Sequence, residues 1–436
     1  MKKRPNIIFI VLAFLSASIL FAEDPIVRVR IMYTEDDISM SSESKIYIYN
    51  QNESKIILRG ERTFSIVLQD DTLKLIDDKG RTLIMGSSFE MKNSEKNKNL
   101  EIKNVPFGIG WFWAGKEDRV YKGDLEFYIN AEKMVDVISV LDIETYLLGV
   151  VPSEIGITAP FEALKAQTIC ARSEAVVGLE TGKYAGEHHV LTADIYCQVY
   201  SGIGKANDAV KKAVSETRGE VLVANDTVMS AYYSSNCGGH TEDIENVWPN
   251  RSGHAEQWSG HPDMDVEIHM DLTQVDDIRT WINSEPDSWC KPSDLTPEWS
   301  KEHFRWTRSI SPEELSKAIA EKAEDVGLIY DIIPLERGVS GRIYDILFVG
   351  DKGYCRVKGE LDIRMLWESP LKSSCFIVDK IGPTANPVSF IISGAGWGHG
   401  VGMCQTGAIA QANAGRTYKD ILAHYFRGSA IEQKYK

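Results

Sequence analysis

The sequence lacks an excess of positive charge, and no block of lysine and arginine stands apart as a stripe that could follow a phosphate backbone. It contains 48 basic and 63 acidic residues among 436, which gives a formal net charge of −15 at pH 7. Proteins that hold nucleic acid by its phosphates present a basic stripe or patch. The composition therefore predicts no nucleic-acid partner.

An apolar run long enough to span a bilayer comfortably, about 20 residues, is also missing at the N-terminus. The apolar run from Ile7 to Ala22 is shorter, and it follows the basic residues 2–4. This layout is typical of an export signal. We predict that residues 1–22 are a signal peptide or an N-terminal anchor. The protein would then act in the periplasm, in the cell wall or at the extracytoplasmic face of the membrane. The cytoplasmic membrane is a partner only if the segment stays uncleaved.

Cysteine is scarce, with seven residues, and no regular spacing connects them. An exported chain can oxidise pairs of thiols, and the odd count leaves at least one thiol free. Cys197 and Cys237 fit either a disulfide bond or a zinc site. In the zinc alternative His240 is a third ligand and His188 or His189 a fourth. The spacing is not a strong zinc signature, so no cofactor is expected to be required.

The N-terminal part of the chain has a β-rich pattern. Short β-prone runs between residues 26 and 112 are separated by Asn, Asp, Ser and Gly, and they predict a β-rich domain over residues 23–115. The charged run at residues 88–104 is expected to be an exposed loop or hairpin.

Helical pattern becomes convincing further on. Thr158 is expected to cap a helix that has Pro160 in its first turn, and a second helix is expected near residues 207–217. Residues 250–338 change in composition and are predicted to be an inserted subdomain with a helix over residues 312–322. A β-rich domain followed by mixed helices and hairpins predicts the α+β class.

One acidic residue has a position suited to proton transfer. Glu154 follows the apolar run at residues 146–151 and lies shortly before the predicted long helix. A carboxyl group at the end of a regular element can be held rigidly at a cleft, and partial desolvation would keep it protonated near neutral pH. From this position alone, an exposed loop acid remains the simpler alternative. Lys165 and Arg172 share one face of that helix, which suits a polar ligand or a solvated stripe.

A glycine-rich segment at residues 394–403 carries Trp397 and His399 among five glycines. Glycine allows positive φ and close approach of the backbone to a ligand. Neither a phosphate-binding Walker loop nor a dinucleotide fingerprint fits the spacing. Trp397 can stack on a sugar ring and His399 can bond hydroxyl groups, whereas a purely structural turn would not need either side chain.

Taken together, the motifs resemble the SpoIID/LytB family. The similarity is collinear over residues 116–430, a length that makes chance agreement improbable. The segments that carry it are Tyr121–Gly123, Asp142–Val151, Glu154, Phe161–Gln167, Ala171–Arg172, Asp194, Cys197–Tyr200, Gly238–Glu242, Ser340–Arg342, Leu371–Ser373, Gly396–Met403, Gln405, Gly407–Ala408 and Ile421–Tyr425. Two departures are Ile155-Gly156 in place of the family's Met-Pro, and Cys404 and Thr406 in place of Ser and Tyr.

The resemblance implies an enzyme that acts on peptidoglycan glycan strands. It makes Glu154 the catalytic residue, and it implies that the residues matching Lys165, Arg172, Tyr233 and Ser235 line or support the glycan cleft. With Trp397, His399 and Gln405 these residues form the predicted substrate site.

The resemblance predicts a lytic transglycosylase, because a single carboxyl group suffices when the substrate's own hydroxyl ends the reaction. Hydrolysis would normally use a second carboxylate, for which Glu162 and Glu242 are candidates. The alternative function is a non-catalytic enhancer of a cell-wall amidase, which would then be a protein partner. Because the family places the motifs of Cys197 and Cys237 near one cleft, we predict a disulfide bond between them.

Overall fold

The structure is a computed structural model that describes residues 23–436 except 53, 60, 61, 96, 97, 112, 252, 253 and 267. The predicted export segment, residues 1–22, lies outside the described residues. No helix in the described part of the chain combines the length and the apolar character needed to cross a membrane.

The first part of the described chain consists of strands. They are β1 (Ile26–Thr34), β2 (Ile38–Ser42), β3 (Ile46–Asn50), β4 (Lys55–Leu58), β5 (Arg62–Gln69), β6 (Thr72–Asp77), β7 (Thr82–Gly86), β8 (Ser88–Asn93), β9 (Leu100–Phe107), β10 (Gly115–Tyr121), β11 (Asp124–Ile129) and β12 (Val135–Asp142). The β-rich prediction for this part is confirmed. The strands extend past the predicted boundary at residues 115 and 116, and that boundary stays a prediction.

Helices and short strands alternate in the remainder of the chain. They are α1 (Ile143–Glu154), α2 (Phe161–Thr181), β13 (Leu191–Thr192), α3 (Asp208–Glu216), β14 (Glu220–Ala224), β15 (Thr227–Val228), β16 (Tyr233–Ser234), α4 (Ile244–Val247), α5 (Val275–Asn283), α6 (Lys301–Phe304), β17 (Arg305–Ile310), α7 (Pro312–Lys322), β18 (Ile329–Arg337), β19 (Ile343–Gly350), β20 (Gly353–Lys358), α8 (Glu360–Met365), β21 (Phe376–Ile381), β22 (Ser389–Ala395), β23 (Met403–Cys404), α9 (Gln405–Asn413), α10 (Tyr418–Tyr425) and β24 (Ala430–Gln433). The α+β class is confirmed.

Two large sheets form the N-terminal body. One has the strand order β13-β1-β12-β11-β8-β3-β4, and the other has the order β10-β9-β2-β5-β6-β7. Buried side chains of both sheets belong to one apolar core, so the sheets pack on each other as a sandwich. The expected exposed loop or hairpin at residues 88–104 is wrong, because β8 lies inside the first sheet and β9 belongs to the second. Phe89 and Met91 are buried there while Glu90 and Lys92 face solvent, the two-residue period of a half-buried strand.

The chain passes from the sandwich directly into α1. Asp142 ends β12 and also caps α1, since its Oδ1 accepts a hydrogen bond from the backbone N–H of Thr145 at 2.8 Å. α2 contacts α1, α3, α9, α10 and β14, which makes it the central helix of this part. The predicted cap by Thr158 is wrong: α2 begins at Phe161, and its N-cap residue Pro160 has no side-chain donor or acceptor.

Smaller sheets complete the fold. β16 pairs in parallel with β23, β14 lies between β15 and β24, and two three-stranded sheets have the orders β17-β22-β21 and β18-β19-β20. The helix predicted over residues 312–322 is confirmed as α7, with a capping box formed by Ser311 and Glu314. β17 lies within the predicted insertion and pairs with β22 outside it. The insertion itself stays a prediction.

Candidate functional site

Glu154 is the last residue of α1. The helix ends there because Gly156, two residues later, has a φ of +85°, a left-handed conformation that terminates helices and suits glycine. Pro152, which lacks an N–H group, lies in the last turn. The departure Ile155-Gly156 thus serves as the helix stop. It leaves the Glu154 side chain at the end of a helix whose start is fixed to the sandwich.

The Glu154 carboxyl group is half-buried and hydrogen-bonded. The backbone N–H of Val199 donates to Glu154 Oε1 at 2.6 Å, and the Tyr233 hydroxyl is its second partner. Tyr233 also donates to Gln198 Oε1 at 2.9 Å. Gln198 is held in this orientation because its Nε2 donates to the carbonyl of Ala171 at 3.2 Å.

The tyrosine can serve both protonation states of Glu154. A phenol has one proton, so it can donate to only one acceptor at a time. When Glu154 is protonated, its own O–H can bond the Tyr233 oxygen while Tyr233 donates to Gln198. When Glu154 is ionised, the Tyr233 proton can turn to the carboxylate. The Glu154 carboxyl group can therefore keep a hydrogen bond with Tyr233 both before and after it loses its proton.

Burial raises the pKa of Glu154 from 4.5 to about 7, and the hydrogen bonds from Val199 and Tyr233 lower it in part. Desolvation disfavours the charged carboxylate, and no cation contributes to this pKa within the described part of the chain. A carboxyl group with such a pKa can donate a proton and take one back near neutral pH.

A row of aromatic rings lies next to this carboxyl site. The rings of Trp397 and His303 are 4.2 Å apart between centroids, and Trp397 also meets Trp113 at 5.8 Å. Ser235 joins the row because its hydroxyl lies 3.0 Å from His303 Nδ1. Ser235 is two residues beyond Tyr233, a separation of at most about 7 Å along the chain. Trp299 extends the row from His303, with 5.3 Å between the ring centroids. We call the four rings together with the adjoining serine the aromatic row: Ser235, His303, Trp397, Trp113 and Trp299.

The aromatic row has exposed faces. Trp113 and Trp299 keep 37% and 45% of their surface accessible, which is high for residues of this size. The Lys372 ammonium group lies 5.5 Å from the Trp397 ring centroid. Flat apolar faces with a polar or cationic neighbour can bind a ligand that has both apolar faces and polar edges. A pyranose ring is such a ligand.

Arg172 does not belong to this site. Its side chain is fully buried, and its Nε and Nη2 donate to the two oxygens of Glu144, each at 2.8 Å. Nη1 donates to the carbonyl of Glu220 at 3.1 Å, and Tyr435 donates to Glu144 at 2.6 Å. The prediction that Arg172 contacts the glycan is wrong in this arrangement, because its donors are used inside the protein. Arg172 instead joins α2 to α1 and to β14.

Two other predicted residues, Lys165 and Gln405, also have internal partners. Lys165 forms ion pairs with Glu162 at 3.3 Å and Glu216 at 2.8 Å. Gln405 is buried at the start of α9 and donates to Gln167 at 3.0 Å.

His399 lies on another aromatic cluster, 4.9 Å from the Trp248 ring, and its Nδ1 accepts from the N–H of Val401 at 3.0 Å. Burial lowers its pKa to about 4, so it is neutral. The structure thus brings together Glu154, Tyr233, Ser235 and Trp397 from the predicted set, and His399 is hydrogen-bonded to the backbone of Tyr233.

The two candidates for a second carboxylate are also engaged elsewhere. Glu162 accepts from the N–H of Tyr418 at 2.8 Å, and Glu242 is buried against Ser340 and Asn246. Glu174 on α2 is a better candidate, which the sequence analysis missed. It is half-buried, and burial raises its pKa to about 7, while the charge of Arg251 and hydrogen bonds with Ser230 and the backbone of Ala231 lower it in part. It also contributes, with Glu154, to the raised pKa of Tyr233.

The predicted disulfide between Cys197 and Cys237 is wrong. Cys197 Sγ lies 3.6 Å from the Tyr184 hydroxyl, whereas Cys237 Sγ lies 3.4 Å from Cys290 Sγ. The zinc set of Cys197, Cys237, His240 and His188 or His189 is not brought together either, because Cys237 Sγ lies beside Cys290 and Asp263 instead. Within the described residues the group of side chains that could hold a metal is a different one, built around Cys237.

Several residues of the site carried a sequence signal that was not used. Gln198 belongs to the segment Cys197–Tyr200, which counts as a family motif but in which only the cysteine was given a possible role. Trp113 ends a Trp-Phe-Trp run at residues 111–113, and exposed aromatic residues are frequent in binding sites. His303 and Trp299 lie in the predicted insertion and had no motif to mark them. The backbone N–H of Val199 could be found only from the structure.

Comparison with known proteins supports the resemblance. Residues 131–223 match the family described as Stage II sporulation protein, and residues 257–402 match a domain of unknown function, DUF8618. The first match contains Glu154 and Gln198, and the second contains His303, Lys372 and Trp397.

Curated relatives cover most of the chain. An uncharacterized protein of Brachyspira hyodysenteriae is 30% identical over 318 residues, 71% of this chain and 72% of the relative. The amidase enhancer of Bacillus subtilis is 27% identical over 65% of this chain but only 40% of its own length. Stage II sporulation protein D of Bacillus subtilis is 25% identical over 67% of this chain and 75% of its own length. The chain belongs to the SpoIID/LytB family.

Proposed function

We propose that this protein is a lytic transglycosylase that cleaves the MurNAc–GlcNAc β-1,4 bond of peptidoglycan glycan strands. Glu154 donates its proton to the glycosidic oxygen as the bond from that oxygen to C1 of MurNAc breaks. The C6 hydroxyl of the same MurNAc then bonds to C1, and its proton passes to Glu154. The products are a shortened strand with a free GlcNAc hydroxyl and a 1,6-anhydroMurNAc end, and no water is consumed.

The observation that carries this proposal is the half-buried Glu154 carboxyl group with a pKa of about 7. One group must act first as an acid and then as a base, and a pKa near the working pH serves both steps. Glu154 is a carboxylate in the interval between these two steps, and hydrogen bonds from Val199 and Tyr233 stabilise it in that form. Glu162 and Glu242 are engaged elsewhere, which leaves Glu174 as the candidate for the second carboxylate that hydrolysis normally uses.

The aromatic row supplies the binding part of the proposal. Trp397, Trp113 and Trp299 can cover the apolar faces of successive sugar rings, while Ser235 and His303 can bond their hydroxyl groups. Family membership supports a role at the cell wall and hence outside the cytoplasm. The predicted exported location agrees with this role and stays part of the proposal.

A second function remains because of one relative, the amidase enhancer. A non-catalytic glycan-binding protein would use the same aromatic row and would have no need for the proton chemistry of Glu154. The raised pKa of Glu154 favours catalysis, since such shifts cluster at catalytic groups.

Incubation of the purified protein with glycan strands tests the proposal. Strands with and without stem peptides are digested separately, and mass spectrometry identifies the new ends. We expect 1,6-anhydroMurNAc ends, with the peptide-free strands as the better substrate. Reducing MurNAc ends would show hydrolysis and would point to Glu174 as the second carboxylate. Absence of both products, together with faster cleavage by an added amidase, would support the enhancer.

A further inference from the structure

Three cysteines and one aspartate form a compact buried cluster that has no part in the proposed proton transfer. The ligand atoms of Cys237, Asp263, Cys290 and Cys404 all lie within 4.8 Å of one another, and all four residues are buried. They come from four separate parts of the chain: the turn after β16, the loop before α5, the loop after α5 and the end of β23. We call these four residues the thiol cluster.

The spacing within the thiol cluster fits a tetrahedral metal. Cys237 Sγ lies 3.4 Å from Cys290 Sγ and 3.3 Å from Asp263 Oδ2. A zinc ion with Zn–S bonds of about 2.3 Å and Zn–O bonds of about 2.1 Å separates its ligand atoms by roughly 3.5 to 3.8 Å. Small side-chain adjustments therefore suffice to place an ion at the centre.

Asp263 is oriented toward the thiols by partners on its other side. Its Oδ1 accepts from the Tyr425 hydroxyl at 2.8 Å and lies 3.2 Å from His424 Nε2. Oδ2 is the oxygen that faces Cys237. Hydrogen bonds of this kind to the far oxygen fix a ligating carboxylate in metal sites. A buried carboxylate is costly unless positive charge compensates it, and a metal ion would supply such charge in addition to His424.

The backbone is arranged to receive a thiolate at Cys404. Cys404 Sγ lies 3.2 Å from the N–H of Cys237 and 3.5 Å from the N–H of Gly407, both of which point at it as donors. Cys404 is also the N-cap of α9, where the helix dipole favours negative charge. Metal binding requires thiolates, and N–H donors to sulfur stabilise them.

We propose that Cys237, Asp263, Cys290 and Cys404 bind one structural zinc ion. Three thiolates and one carboxylate are a donor set that suits zinc, and four protein ligands leave no position for a substrate or a water molecule. The site is separate from the Cys197 and His188 set considered from the sequence, and only Cys237 is common to both.

The ion would hold the aromatic row in place. Cys237 directly follows Asn236, which exchanges two backbone hydrogen bonds with Trp397, at 2.8 and 3.1 Å. Ser235 precedes them and accepts from the N–H of Thr406 in α9 at 3.1 Å. Zinc would thus fix the strand that carries Tyr233 and Ser235 to α9 and to the loops on either side of α5.

Metal content of the purified protein tests this inference. The chain is produced in zinc-supplemented medium and purified without chelators, and elemental analysis measures zinc per chain. We expect about one zinc ion in the unaltered protein and in Cys355→Ser, and a loss of it in Cys290→Ser. Cys355 is a matched control because it is a buried cysteine in a separate apolar core. These readouts are independent of glycan cleavage, so the zinc site and the proposed activity can fail separately.

A measurement on the unaltered protein guards against variants that do not fold. The protein is stripped of metal under reducing conditions and titrated with Co²⁺. Thiolate-to-cobalt charge-transfer absorption, with ligand-field bands of a tetrahedral ion, is expected at one equivalent and is reversed by Zn²⁺. Absence of these bands, or equal zinc in Cys290→Ser, would overturn the inference. A disulfide between Cys237 and Cys290 would also overturn it; the zinc-free protein would then have an intact mass two hydrogens lower, and peptide mapping would locate the bond.

Discussion

The two ends of α1 each carry a glutamate, and their surroundings are opposite. Glu144 in the first turn is buried and receives two hydrogen bonds from Arg172 and one from Tyr435. Glu154 is the last residue of the helix. Within the described part of the chain, no cation contributes to its pKa. The helix dipole stabilises an anion at the start of a helix and disfavours one at its end.

The comparison separates a structural carboxylate from a reactive one. Both residues lie within motifs of the family, so the motifs alone do not distinguish their roles. Glu144 has a compensating charge in Arg172, and hydrogen bonds occupy both of its oxygens. Glu154 has hydrogen-bond donors but no compensating charge, so its proton is exchangeable near pH 7.

The largest expected effect is that of Glu154→Gln. The amide keeps the shape of the side chain but cannot donate and retrieve a proton, so cleavage should fall by about 10²- to 10⁴-fold. Binding of glycan strands and thermal stability should change little. The measurement is the amount of 1,6-anhydroMurNAc released, together with a pull-down on purified strands.

Glu174→Gln is the matched control for this change. It also neutralises a half-buried carboxyl group with a pKa of about 7 near Tyr233. In the proposed mechanism it should retain most of the cleavage. Equal losses in the two variants would instead indicate two catalytic carboxyl groups, and loss of strand binding in Glu154→Gln would give Glu154 a structural role.

Arg172→Ala should act on stability. Removal of one partner from a buried ion pair leaves the other charge uncompensated, which costs about 3–5 kcal/mol. Urea unfolding should therefore show a large decrease in the free energy of unfolding. Lys165→Ala is the control on the same helix, because its ion pair with the partly exposed Glu216 should contribute no more than about 1 kcal/mol. Unchanged stability in Arg172→Ala with weaker strand binding would restore Arg172 to the glycan site.

The difference between Arg172 and Glu154 shows which residue roles can be predicted from the sequence and which cannot. A catalytic glutamate is recognisable from its motif because chemistry restricts the residue type at that position. The role of Arg172 depends on Glu144, which is 28 residues away, and on Tyr435 near the C-terminus. Spacing on one helix cannot reveal such partners.

Local and long-range features differ in the same way elsewhere in the fold. α7 was predicted with its correct bounds because Ser311, Pro312 and Glu314 carry a complete local start signal. β8 was missed although Phe89 and Met91 alternate with charged residues, since the charge of the run concealed its period. The thiol cluster joins four distant segments, so only the structure could show that Cys237 lies beside Cys290 rather than Cys197.

The smallest expected effect sharpens the account of Glu154 itself. Glu154 must enter the reaction protonated, so kcat/KM should be level below about pH 7 and should fall tenfold per pH unit above it. Tyr233→Phe removes a hydrogen bond that lowers the pKa of Glu154. The midpoint of the profile should therefore move to higher pH.

The rate on the plateau of Tyr233→Phe should fall by about tenfold, because the hydroxyl stabilises the carboxylate that forms as the proton leaves and such a bond to a charged group contributes about 1.5 kcal/mol or more. Tyr232→Phe is the neighbouring control, since the Tyr232 hydroxyl bonds Arg251 instead. Its midpoint should stay in place. A lower rate in Tyr233→Phe with an unmoved midpoint would mean that Tyr233 positions the glycan and does not tune the acid.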